Sequence, residues 1–323
     1  MKLVYHIVLM FVKVQVSVFM KKIIGYIKAF AREADKPVLA ACTVFIAMMI
    51  WLNYGSHLEH RLTSEAPFIF PQFTGRLILF ITTFGVPYLI ISLRKKLTIT
   101  TPMLICLFLG PCLFALKAGI DTDLPLSHDH EWNIYWNEIL YWPVRTVGMF
   151  MVLLLCWRVF DRDKYLYGLN AKDLNWKPYL MMLLCMVPLI AAASTQPDFL
   201  HTYPKLKNIL PLPEGASPAW YYKLLYELAY GSDFFSIELF FRGFLVIGFA
   251  RWVGKDAIIP MACFYCSIHF GKPLGECISS YFGGLLLGIV SYHTRSVYGG
   301  LMVHLGIAWL MEAGAIVGEQ LSR

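Results

Sequence analysis

The last third of the chain places Glu227, Asp233, Glu238, Arg242, His269, His304 and Glu312 inside or beside apolar stretches. A charge within a hydrocarbon segment is costly, so each of these residues needs a partner or a use. In Ser236-Ile237-Glu238-Leu239-Phe240-Phe241-Arg242-Gly243, the acid and the base are four apart and meet on one helix face. The pair reads either as an internal ion pair or as a carboxylate held beside a reaction centre. His269 closes the run Tyr265-Cys266-Ser267-Ile268-His269, and His304 lies in a last apolar stretch after Gly299-Gly300. Each imidazole alone reads as a structural residue. One acid and two imidazoles at a common depth could surround a water. The carboxylate would take its proton, and the histidines would bind the water or stabilise an oxyanion. That is equipment for peptide hydrolysis inside a membrane.

Depth can be counted along the chain. At 1.5 Å per helical residue, Glu238 lies about 20 Å from Arg251, His269 about 21 Å from Lys255 and His304 about 14 Å from Arg295. All three fall near the middle of a hydrocarbon core about 30 Å thick. The spacing Cys263-x-x-Cys266-x-x-His269 has zinc-ligand residue types. It follows a helical period and has no evident fourth ligand, so a metal site is not the expected reading. No cofactor is expected, and metal dependence is left open.

The elements that must position these residues are apolar helices. Of the 323 residues 58% are hydrophobic and 15% charged, where an average globular chain has about a quarter charged. Lipid cannot satisfy an exposed backbone, so continuous apolar runs must be helical. The expected fold is all-α, a polytopic transmembrane helical bundle of about eight to nine spans. The candidates are 37–54, 77–93, 101–119, 139–158, 177–194, 219–250, 256–270, 275–293 and 297–317. Residues 1–19 read as an N-terminal extension broken by His6, Lys13 and Gln15. The expected organisation is an extension and basic segment (1–36), N-terminal transmembrane helices (37–194) and a C-terminal core (195–323).

The net charge of +7 gathers at helix ends, which argues for membrane orientation rather than nucleic acid. Lys21, Lys22, Lys28, Arg32 and Lys36 precede the first span, and Arg94, Lys95 and Lys96 follow the second. Arg158, Arg162, Lys164, Lys172 and Lys177 follow the fourth, Arg251 and Lys255 the sixth, and Arg295 the eighth. All fall on one side, expected to be cytoplasmic, with the acidic loop of Asp121, Asp123, Asp129 and Glu131 opposite and the C-terminus outside. The eight cysteines sit in or beside apolar runs and read as small hydrophobes. There is no internal repeat of the kind inverted-repeat transporters carry and no Gly-rich phosphate loop.

The order Glu-x-x-x-Arg-Gly, then aromatic-x-x-x-His, then His in a final helix resembles the CPBP family, the CAAX prenyl protease and bacteriocin-processing group also called ABI or Rce1-like. The resemblance covers roughly residues 219–317, and the run Glu238 to Leu245 is its most specific part. It implies a glutamate-dependent intramembrane endopeptidase acting on a membrane-associated protein or peptide in the lipid bilayer. By resemblance Glu238 is the second glutamate of the family's pair; the first, which activates the water in the family, is Ile237 here, so Glu238 would have to serve as base. Arg242 orients it, His269 helps hold the water and His304 stabilises the oxyanion. Tyr265 stands where phenylalanine is common.

The chain departs from the pattern twice. Ile237 replaces the first glutamate, and Ala308 stands where Asn or Asp is usual. Asp233, one turn before Ile237 on the same face, is a candidate substitute. Glu312 lies about 80° off the face of His304 and is a poor one. A catalytically impaired homologue acting as a membrane scaffold or immunity-type protein is therefore the alternative.

Overall fold

A computed structural model describes residues 21–66, 70–119, 123–162, 165–172 and 174–321. The extension 1–19, Asp121 and Lys164 lie outside them. The longer helices are α1 (residues 21–33), α2 (Lys36–Ser56), α3 (Pro71–Lys95), α4 (Thr101–Gly119), α5 (His130–Cys156) and α6 (Lys177–Ala193). They continue as α7 (Pro197–Thr202), α8 (Ala219–Glu238), α9 (Ile258–Ser267), α10 (Leu274–Thr294) and α11 (Tyr298–Leu321). Among the described residues there is no strand. Local chemistry marks the starts. Asp35 caps α2 by accepting from the Val38 amide, Asp129 caps α5 by accepting from Trp132, and Pro71 opens α3.

Helices stand at all nine expected spans. Six are long and apolar enough to cross a membrane, and a seventh qualifies if α6 and the segment bent 100° from it count as one span. The other two are α8 and α9. Helix α8 carries Glu227, Asp233 and Glu238. Helix α9 has 10 residues, about 15 Å of helix, too short to cross alone. The chain is an all-α, multi-pass membrane protein. Its outer surface fits that solvent: Trp51, Leu93, Leu155 and Leu189 are exposed.

The core lies around α9 and the end of α8. Every residue from Leu239 to Phe249 and from Ile258 to Ser267 is buried. Phe80 and Phe84 of α3 and Phe114 of α4 meet Phe264, and Phe114 also meets Phe240 and Phe241, with ring centroids 5.0–5.9 Å apart.

The loops sort by charge. Lys255 reaches Glu33 at 2.7 Å, Lys95 reaches Asp256 at 2.5 Å, Arg94 reaches Asp35 at 3.5 Å, and Arg251 pairs with Asp161. Ser296 donates to the Asn170 carbonyl at 2.7 Å. Basic loops expected on one side therefore meet on one face. The hydrogen bond and charge of Lys255 hold the Glu33 carboxyl below its ordinary range. On the opposite face, Asn53 and Tyr54 donate to the carbonyls of Phe270 and Lys272, tying α2 to the turn after α9.

Candidate active site

After Glu238 the backbone widens. Residues Leu239–Gly248 form a π-helix, with i→i+5 bonding in place of α geometry. Gly243 allows this wide turn to lie against the chain before α6, since a β-carbon there would sit 2.6 Å from the Tyr167 carbonyl oxygen. Glu238 and Arg242 are both fully buried, with Arg242 Nη1 3.1 Å from Glu238 Oε1. The guanidinium also lies over the Tyr265 ring, 4.2 Å from its centroid. The opposite charges cancel, which lets both groups stay in apolar surroundings.

Helix α11 brings His304 to the same carboxylate: Nδ1 lies 2.9 Å from Glu238 Oε1. The approach depends on Gly300, one turn earlier, whose missing side chain leaves room for Glu238 Oε2. That oxygen is buried and has no hydrogen-bond partner among the described residues. His304 Nε2 faces the Tyr265 hydroxyl at 3.0 Å, and the Phe234 ring packs edge-on against the imidazole at 4.8 Å.

His269 stands just past the end of α9. Its Nδ1 lies 2.9 Å from the Tyr265 carbonyl, and its ring meets the Tyr265 ring at 4.8 Å. A carbonyl oxygen only accepts, so Nδ1 carries the proton and a neutral ring presents Nε2 as an acceptor. Glu238, Arg242 and His304 thus touch directly, and His269 joins them through Tyr265. Sequence reasoning noted Tyr265 only as a departure from a common phenylalanine. Its four-residue spacing to His269 was a usable signal, because it puts both on one helix face.

Other candidates turn elsewhere. Asp233 pairs with Lys117 of α4 at 2.6 Å and accepts from the Ser236 hydroxyl at 3.2 Å, a pairing separate from the Glu238 cluster. Ile237 packs among apolar side chains, and Ala308 is buried beside them. Glu312 accepts from the amides of Lys205 and Leu206 at 2.8 and 3.1 Å, capping the short turn after α7. Glu227 is three turns before Glu238, about 16 Å along the axis. Cys266 Sγ lies 3.8 Å from Cys277 Sγ, and Cys263 Sγ faces the Cys42 carbonyl. Among the described residues no three His, Cys, Asp or Glu side chains are grouped to hold a metal.

No curated protein and no solved structure matches the chain significantly. A family model does match part of it, and that part holds Glu238, Arg242, Tyr265, His269, Gly300 and His304. Residues 228–310 match the model described as type II CAAX prenyl endopeptidase Rce1-like, so that part of the chain is similar to that family.

Proposed function

We propose that this chain is an intramembrane endopeptidase that cleaves a membrane-associated protein or peptide with water activated by Glu238. One observation supports this reading above others: three separate helical segments bring an acid and two imidazoles into one connected cluster within the apolar core. One acceptor of that cluster, Glu238 Oε2, has no hydrogen-bond partner among the described residues. A water donating its proton there would have its oxygen freed for attack on a carbonyl, with His269 Nε2 as its second acceptor in this reading. Arg242 and His304 hold Glu238 through Oε1, leaving Oε2 as the basic oxygen. The oxyanion role expected for His304 needs its Nε2, which the Tyr265 hydroxyl engages, so His304 is here a positioning residue.

The basic face, with the segment before α2, is the cytoplasmic one in this reading, as the excess of Lys and Arg supports. A second reading, an impaired homologue serving as a membrane scaffold or immunity-type protein, is favoured by Ile237 packed among apolar neighbours where the family resemblance puts a glutamate.

Proteoliposomes containing wild type or His269→Ala separate the two. Each is given a fluorescent farnesylated CAAX peptide and, separately, membrane proteins of the expression host, and fragments are read by mass spectrometry. The peptidase reading expects fragments from wild type alone. Fragments from both proteins, or from neither, overturn it.

A further inference from the structure

We propose that Tyr265 is the positioning residue that sets both imidazoles of this site, its hydroxyl fixing His304 and its main-chain carbonyl fixing His269, each with the ring proton on Nδ1. The catalytic consequence rests on the peptidase reading; the positioning itself does not.

The protonation pattern follows from burial and donor counting. Glu238 and Arg242 are fully buried and mutually neutralised. A further positive charge on His304 would stand without its own counter-charge in the same apolar surroundings, so the ring is neutral and carries one proton. Nδ1 faces a carboxylate oxygen at 2.9 Å, which can only accept, so the proton is there. Nε2 must then accept, and the group facing it at 3.0 Å is the Tyr265 hydroxyl, which donates. The carbonyl of the same residue takes the Nδ1 proton of His269.

The phenol is held in this role. Arg242 lies over one side of its ring, and Phe241 packs against it at a centroid distance of 5.0 Å. A β-carbon at Gly284 would come within 3.1 Å of the ring, so α10 closes on it as well. Phenylalanine at 265 would keep the ring packing and the carbonyl but lose the bond to His304 Nε2. The His304 proton stays on Nδ1, held by Glu238 Oε1, and the ring is left with one of its two holds.

The test is long-range 1H–15N correlation spectroscopy on histidine-labelled protein in lipid nanodiscs. His304 and His269 are assigned by single replacement. In wild type both rings are expected as the single Nδ1–H form, with His304 Nε2 shifted as a hydrogen-bonded acceptor. In Tyr265→Phe the His304 pattern is expected to keep the Nδ1–H form but lose that Nε2 shift, while His269 is unchanged. A wild-type His304 protonated at Nε2 overturns the proposal without any variant. So does a Tyr265→Phe spectrum identical to wild type. The readout needs no substrate: Nδ1–H rings in a protein that cleaves nothing would remove the peptidase reading and leave the positioning role standing.

Discussion

Gly300 lies one turn before His304 on α11, and a β-carbon added there would sit 2.2 Å from Glu238 Oε2. The glycine is therefore part of the site's geometry. Gly300→Ala is expected to cost about 1–3 kcal/mol through overpacking. It should lower cleavage about a hundredfold, the scale of a 1 Å displacement of a reacting group. Gly283→Ala, with nothing within 4 Å of the added carbon, is the control and should leave both unchanged. Thermal unfolding in detergent and cleavage rate are the two measurements.

The Glu238–Arg242 pair should behave as one unit. Glu238→Gln leaves a buried guanidinium without its counter-charge, and Arg242→Met leaves a buried carboxylate. Each single change is expected to cost about 3–5 kcal/mol. Glu238→Met with Arg242→Met should cost clearly less than the two singles summed. A denaturation series across the four proteins measures the coupling, and additive losses would refute it.

His269→Ala is expected to do the reverse. Its one hydrogen bond runs to a carbonyl four residues earlier in its own segment, and no charge is left unpaired when the ring is removed. The variant should lose only about 1 kcal/mol of stability, the net worth of one hydrogen bond. Cleavage should be lost.

Asp233 and Lys117 form a separate buried pair, with side chains 10% and 8% exposed. Asp233→Asn should therefore lower stability while leaving cleavage in place. Lys117→Met added to it should recover part of the loss, because the orphaned ammonium is gone. Loss of cleavage by Asp233→Asn in a stably folded protein would return Asp233 to the list of candidate bases.

Sidedness can be read by labelling. Lys172 and Glu214 are exposed loop residues, one near the basic loops and one on the connection between α7 and α8. Lys172→Cys is expected to react with a membrane-impermeant maleimide only from the cytoplasmic side, and Glu214→Cys only from the other. Both reacting from one side would contradict the face assignment.

Most of the architecture was legible because lipid imposes one rule: apolar runs become helices, and their charged ends sort by side. Lys95, Arg251 and Lys255 meet acids on one face as the loop count requires. Helix α9 was overestimated as a span, since apolar sequence alone does not separate a short helix buried in protein from one that crosses lipid. Counting residues from the basic loops brought Glu238, His269 and His304 to similar depths, and the structure places them in one cluster. Azimuth was harder. Asp233 shares a face with Ile237 on paper, yet a lysine 116 positions earlier claims it, a contact no local period encodes. Tyr265 was passed over because a tyrosine among aromatics reads as packing until its hydroxyl is seen to reach another helix.

The sealed charge pair also bears on how such a protein could change over generations. Losing Glu238 or Arg242 alone is expected to pass through a poorly folded intermediate, which would block drift there whether or not the chain cuts anything. His269 has no such protection, because the fold scarcely leans on it. A lineage without hydrolysis would be free to discard that ring while keeping the acid and the guanidinium.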